Sequence, residues 1–147
     1  EFAWQHFFGE TGFGYQVNYT TVDGDIGFGN GGAIDVDQFA LEGLSDTANL
    51  VLIYEKEGLS TRIAYNWRDE FLSSTNRGKG PRNPVYVSET EQVDINVSYE
   101  VMEDFSMSLD IINLLEEGQR KFGRSKNNVF FVQESDRRFV LSANYTF

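Results

Sequence analysis

Between residues 139 and 147 apolar and polar side chains alternate one by one. Phe139, Leu141, Ala143, Tyr145 and Phe147 fall on one side, and Val140, Ser142, Asn144 and Thr146 on the other. A period of two is the mark of a β-strand with two unlike faces. The pattern recurs upstream. Val93, Ile95, Val97, Tyr99 and Val101 oppose Asp94, Asn96, Ser98 and Glu100, and Phe105, Met107, Leu109 and Ile111 oppose Ser106, Ser108 and Asp110. Thr61, Ile63, Tyr65 and Trp67 oppose Ser60, Arg62, Asn66 and Arg68, and Phe13, Tyr15, Val17 and Tyr19 oppose Gly14, Gln16, Asn18 and Thr20. Leu50, Leu52 and Tyr54 follow less cleanly, with Val51 and Ile53 on the polar side, and 2–8 reads as a strand whose faces stay unassigned. No segment has a helical period. The expectation is seven strands, or eight if 127–134 forms its own.

The connections alternate in size. Gly9-Glu10-Thr11, Lys56-Glu57-Gly58 and Met102-Glu103-Asp104 are tight turns, whereas 23–46, 70–89 and the stretch between 114 and 136 are long and rich in Gly, Asp and Asn. Short turns at one end and long loops at the other are the asymmetry of an outer-membrane barrel. With the last strand running toward the short turns, Tyr54, Tyr99, Tyr145 and Phe147 fall near one level with Phe13 and Phe105, as an interfacial aromatic girdle would. Trp67 and Phe71 would mark the opposite interface. Alternation alone does not say which face is inside, since a soluble ligand-binding barrel turns its apolar face inward. The mixed, charged polar face (Arg62, Arg68, Asp94, Glu100, Asp110) favours the inverted, lipid-facing arrangement. Phe139, Leu141, Tyr145, Val93, Ile95, Val97, Tyr99, Met107 and Leu109 are therefore expected to face lipid, and Ser142, Asn144, Asn96, Ser98, Ser106, Ser108 and Asp110 the lumen.

Composition narrows the function. A formal charge of −11 argues against a nucleic-acid partner, which needs clustered Lys and Arg. Without cysteine there is no disulfide framework or thiolate metal site. No run approaches the roughly 18 apolar residues of a membrane helix. The first residues lack the basic start and apolar core of a signal peptide and begin mid-strand, so the chain is expected to be either processed or a segment of something larger. A small barrel needs about eight strands, so the seven are expected to form a curved wall that does not close on itself.

The final Arg137-Arg138-Phe139-Val140-Leu141-Ser142-Ala143-Asn144-Tyr145-Thr146-Phe147 resembles the terminal strand of TonB-dependent outer-membrane receptors. Asp110-Ile111-Ile112-Asn113-Leu114-Leu115-Glu116-Glu117 is similar to a recurring N-L-x-[DE] element of that family, followed here by Gln119-Arg120 and Phe122-Gly123-Arg124. Leu44-Ser45-Asp46 through Asn49-Leu50 to Tyr54-Glu55-Lys56, then 62–68, resembles a strand pair of members from carbohydrate-using proteobacteria. The resemblance covers about residues 13–147, and its specificity lies in the order and spacing of these elements. It implies an antiparallel transmembrane β-barrel of about 22 strands with a plug. Residues 1–147 would supply the C-terminal wall, with the plug and earlier strands elsewhere. The implied function is TonB-energised import of a scarce nutrient, foremost an oligosaccharide, with a siderophore or cobalamin as further classes. The implied partners are the rest of the receptor, outer-membrane lipid and lipopolysaccharide, TonB, and the barrel-assembly machinery. That machinery would read Phe139, Tyr145 and Phe147 as a terminal signal while the strand edge is still open. The alternative is a small self-contained barrel, either an outer-membrane structural or adhesion protein or a soluble ligand-binding barrel.

Few residues offer chemistry. Asp23, Asp25, Asp35 and Asp37 flank a Gly-rich run and, with Arg77 and Arg82, are candidate outer-loop ligand contacts. A solvated loop is the plain reading of the aspartates, and calcium coordination the sharper one. Arg120, Lys121, Arg124, Lys126, Arg137 and Arg138 form the basic concentration. Their plain role is pairing with Glu116, Glu117, Glu134 and Asp136, and their sharper one attraction of an anionic ligand or lipopolysaccharide phosphate. His6 is the sole histidine, which leaves a zinc site or a triad without partners. No enzyme activity and no cofactor are expected.

Overall fold

The computed structural model describes residues 1–23, 41–78 and 83–146. Among them are eleven strands: β1 (Phe2–Phe7), β2 (Phe13–Thr20), β3 (Thr47–Lys56), β4 (Leu59–Arg68), β5 (Phe71–Ser74), β6 (Val85–Val87), β7 (Thr90–Met102), β8 (Phe105–Ile112), β9 (Gln119–Phe122), β10 (Val129–Gln133) and β11 (Arg138–Tyr145). They build a seven-stranded sheet in the order β1-β2-β3-β4-β7-β8-β11 and a four-stranded sheet in the order β10-β9-β6-β5. Every pairing is antiparallel. The seven expected strands are the seven of the first sheet. Its edge strands β1 and β11 do not pair with each other, so the sheet is open and not a closed barrel.

The tight turns lie at one end of this sheet. Glu57 (φ 53°) and Gly58 (φ 78°) both adopt left-handed conformations, the backbone of a two-residue hairpin turn whose twist matches its strands. Gly9–Thr11 forms a single 3-10 turn closed by Gly12 at φ 84°. A side chain at Gly12 would collide with the Glu55 carbonyl, while the Gly12 carbonyl accepts the Glu55 N–H at 2.8 Å.

The other end departs from expectation. Long loops were expected over 70–89 and 114–136, and the chain there folds into the second sheet. Two residues separate the end of β4 from the start of β5, and two separate the end of β6 from the start of β7. The order β5-β6-β9-β10 thus repeats β4-β7-β8-β11, and the second sheet continues those four strands past a set of bends. Residues 127–134 do contain a strand, β10, but it belongs to the four-stranded sheet, termed the outer sheet, and not to the seven-stranded one, termed the wall. Phe71 was expected to mark the far interface. Instead it opens β5 with its ring 3.8 Å from the guanidinium carbon of Arg68, a residue of the polar face.

Register decides the faces, because directly opposed residues share one. His6, Tyr15, Leu52, Ile63, Ile95, Ile111 and Phe139 lie in one rung across all seven strands. A second rung runs Phe13, Tyr54, Thr61, Val97, Leu109 and Leu141. The other face carries matching polar rungs, among them Ser60, Ser98, Ser108 and Ser142. The same pairing assigns β1, whose Phe2, Trp4 and His6 join the apolar face opposite Tyr19, Val17 and Tyr15.

Among the described residues the buried apolar side chains are Val51, Leu72, Pro84, Val87 and Phe122. Three of these belong to the outer sheet, and Val51 sits on the polar face of the wall. No core covers the wall's apolar face among the described residues. Leu141 is 70% exposed, Phe139 60% and Leu52 46%, and the last lies four strands away from β11 in the sheet order.

Candidate functional site

Where the wall bends into the outer sheet, Asn113 anchors the corner. It is buried and holds φ +56°, a left-handed conformation that Asn tolerates better than most residues. Its Nδ2 donates to the carbonyls of Glu117 (3.0 Å) and Ser135 (3.2 Å), and its Oδ1 accepts the Glu117 N–H at 2.9 Å. Its own N–H donates to Asp94 Oδ1 at 2.8 Å. One side chain thus ties the β8–β9 bend to the β10–β11 bend. Arg137 Nε adds a second tie, donating to Glu116 Oε1 at 2.7 Å. That guanidinium holds the Glu116 carboxyl below the usual carboxylate range.

At the same end of the wall Asp46 gathers the approach to β3. Its Oδ1 accepts the Val22 N–H (2.8 Å), and its Oδ2 accepts the hydroxyls of Tyr19 (3.0 Å) and Thr21 (3.3 Å). The Val22 N–H, and after it the Tyr19 hydroxyl, hold the Asp46 carboxyl below its usual range. A depressed carboxylate pKa stabilises the fold above the unfolded value, and that contribution is lost as pH falls through the folded value. Hydrogen exchange over 19–23 should therefore show Val22 protected at neutral pH and released in strong acid. Asp46→Ala should release it at every pH, and a Val22 amide equally protected in that variant would count against the anchor.

Between these anchors lies a polar recess of about 450 Å³, bounded by both sheets. Its floor comes from the wall's polar face. Asn18, Asn49, Asn66 and Gln92 stand directly opposite one another on β2, β3, β4 and β7, forming a row of primary amides. Asn49, Asn66 and Gln92 line the recess, joined from the outer sheet by Gln119. The next rung places Arg68 between Thr47 and Thr90. Arg68 donates to the Gly43 carbonyl (2.6 Å) and to Ser45 Oγ (3.1 Å) and lies over Phe71, so its charge is engaged within the fold. Gln92, also in the lining, donates its Nε2 to both carboxylate oxygens of Asp94 at 2.9 Å.

A larger depression of about 920 Å³ lies on the apolar face among Phe8, Phe13, Tyr15 and Tyr54. It is a dip in the exposed apolar surface, without polar groups converging on it, and the polar recess is the better candidate for specific binding.

The residues singled out by sequence scatter. The Arg77 guanidinium stacks over Phe130 at 4.2 Å, and its backbone N–H donates to the Asn83 carbonyl at 2.8 Å, structural roles in the β5–β6 connection. Asp23 is exposed after β2, and no described cluster of acids holds a metal-binding arrangement. Asp25, Asp35, Asp37, Arg82 and Phe147 lie outside the described residues. Phe139 and Tyr145 are exposed on the apolar face of the edge strand β11. The basic concentration is largely engaged in structural contacts. Lys126 pairs with Glu70 (3.0 Å), Arg120 donates to the Lys126 carbonyl (2.8 Å), Lys121 lies 5.6 Å from the Phe131 ring, and Arg137 holds Glu116. The amide row went unrecognised in the sequence, because its members lie on four strands and become neighbours only once the register is known. No protein-family model, curated protein or solved structure matches the chain.

Proposed function

We propose that this chain forms part of the wall of an outer-membrane β-barrel, its apolar face against lipid and its polar face toward a water-filled lumen. We further propose that the barrel is a TonB-dependent receptor importing a scarce nutrient. The observation that carries the reading is the apolar face of the seven-stranded sheet, which exposes large apolar side chains on β1, β2, β3, β7, β8 and β11 and has no covering layer among the described residues. Contiguous exposed apolar surface of that extent marks an interaction with membrane or protein. A single antiparallel layer with period-two faces, tight turns at one end and extended hairpins at the other is how strands cross a membrane. The free edges of β1 and β11 need strand partners, since unpaired backbone groups are intolerable in hydrocarbon. The remaining strands of the receptor fill that role. The resemblance over 13–147 adds the receptor identity, the plug and the coupling to TonB.

Membrane fractionation of the gene product tests the reading. The protein should sediment with outer membranes, resist salt extraction and stay monodisperse only in detergent. A monodisperse protein in plain buffer would overturn it.

Assembly gives a second test. Phe139 and Tyr145 leave an aromatic stripe on an open edge, with Phe147 next in the same alternation of the sequence, which suits recognition by assembly machinery before the strand pairs. Deleting Phe147 should slow or lower outer-membrane delivery. Normal level and rate would leave the residue only a lipid-packing role.

A further inference from the structure

We propose that the depression on the wall's apolar face is a selective site for one phospholipid with a primary-amine headgroup, its chain in the depression and its phosphate against Lys56. The inference rests on the wall reading, which sets the tight turns at the periplasmic interface and this end of the face against the inner leaflet. Contact with bulk lipid is common to the whole face. Preference for one headgroup needs more, a groove for the chain and polar partners at a fixed place beside it.

The groove comes from side-chain size. In the rung Phe13, Tyr54, Thr61, Val97, Leu109 and Leu141, Thr61 is the smallest member. Phe13 and Tyr54 pack beside it with ring centroids 4.6 Å apart. His6, Phe8 and Tyr15 make a second aromatic group, with centroids 4.8 to 6.2 Å apart. Leu52 and Ile63 continue the lining of a depression of about 920 Å³. Thr11 also lines it, with its hydroxyl already engaged by the Phe8 carbonyl (2.7 Å) and the Phe13 N–H (3.2 Å). Such a surface favours hydrocarbon.

A lipid keeps its polar contacts at the interface, so the groups that read a headgroup belong beside the groove and not in its lining. Lys56 stands there. It follows Tyr54 by two residues, about 7 Å along the same face, and shares a rung with Leu59, Tyr99 and Met107. A side chain at Gly12 would lie 3.0 Å from Lys56 Cβ, so the first tight turn packs against the base of this lysine. Lys56 is exposed, and among the described residues no carboxylate pairs with it. An unpaired ammonium on a flexible stem, set between apolar surface and water, suits a phosphate at headgroup depth.

Charge selects the rest of the headgroup. Lys56 is the only cation among residues 8–13, 54–61 and 99–106, and the turns beside it carry Glu10, Glu57, Glu103 and Asp104, all exposed. Phosphatidylglycerol would bring net negative charge to this acidic rim. Phosphatidylethanolamine is neutral overall, so its phosphate meets Lys56 while its ammonium meets the turn carboxylates, Glu57 foremost as the next residue in the chain. A primary ammonium donates three hydrogen bonds. The quaternary nitrogen of phosphatidylcholine donates none, and that lipid forgoes the second contact.

The test is native mass spectrometry of the gene product that carries this chain, purified in detergent and offered equimolar phosphatidylethanolamine, phosphatidylcholine and phosphatidylglycerol of one chain length. Phosphatidylethanolamine adducts should exceed each of the others about 3- to 5-fold. Lys56→Ala should weaken the selective adduct about 5-fold. Thr61→Phe, which fills the groove, should abolish it. Glu10→Gln with Glu57→Gln should bring phosphatidylethanolamine and phosphatidylcholine level. All four positions are exposed or half-buried, and the strand signal in circular dichroism checks that each variant keeps its fold. Equal uptake of the three lipids, preference for phosphatidylglycerol, or an excess unchanged in either Lys56→Ala or Thr61→Phe would overturn the inference. Fractionation of the same preparation separates the two proposals. An outer-membrane protein with equal uptake fails only the lipid site. A protein monodisperse in plain buffer fails the wall reading, and amine-selective uptake dependent on Lys56 would still leave the site standing.

Discussion

Arginine at position 97 should destabilise the wall in a lipid bilayer by about 2–4 kcal/mol, whereas arginine at position 98 should cost much less. Val97 lies in the apolar rung between Thr61 and Leu109, well inside β7. Its neighbour Ser98 lies on the opposite face, in the hydroxyl rung between Ser60 and Ser108. In the bilayer reading, Val97→Arg forces a guanidinium toward hydrocarbon, while Ser98→Arg places the same group in a wet lumen beside small hydroxyl side chains. The two sites share a strand and nearly the same depth, so strand propensity and distance from the interface largely cancel in the comparison. Unfolding of the two variants in lipid vesicles measures the difference, and equal cost would refute the face assignment.

Replacing Asn113 should cost a similar amount for a different reason. Asn113→Ala removes three side-chain hydrogen bonds at a buried corner, leaving the Glu117 N–H and two carbonyls without their partner. Orphaned buried polar groups cost about 1–3 kcal/mol. Alanine must also hold φ near +56°, a left-handed conformation worth about 1–2 kcal/mol against it. The sum is about 2–5 kcal/mol. Asn113→Gly relieves the backbone part only, so it should fall between wild type and alanine. If both variants unfolded like wild type, the corner would not depend on this side chain.

The wall was legible because its strands are long enough for alternation to declare itself. β7 and β8 repeat apolar and polar residues over most of their length, and their faces follow from the sequence alone. The outer sheet was not legible for the converse reason. Phe71–Ser74 and Val85–Val87 hold too few residues for a period to emerge, and Leu72–Ser74 and Val129–Phe131 are broken by register shifts. Burial there comes from Leu72 and Phe122, which flank Tyr86 in one rung, and from Val87 on the opposite face, all on strands distant in sequence. The faces of β1 waited on register for the same reason, since Phe7 on the polar side blurs the alternation and only pairing with β2 resolves it. Asn113 stood in a motif whose order was visible, but its role depends on Asp94 and Ser135, 19 and 22 residues away. The aspartates and Arg77 stood out by residue type. Type alone did not show that Arg77 would be taken up by Phe130, or that plain amides on four strands would line the recess.

The absence of cysteine from these 147 residues makes single-site spin labelling a direct test of whether the exposed apolar face meets lipid. Labels at Met107, Ser108, Leu109 and Asp110, one at a time in the reconstituted gene product, sample both faces of β8. Lipid contact predicts that labels at 107 and 109 collide readily with dissolved oxygen, which concentrates in the bilayer, and scarcely with a water-soluble nickel chelate. Labels at 108 and 110 should show the reverse. Accessibility to the nickel chelate at 107 and 109, or shielding of those two labels from both reagents, would place the apolar face in water or in a protein core and contradict the membrane wall.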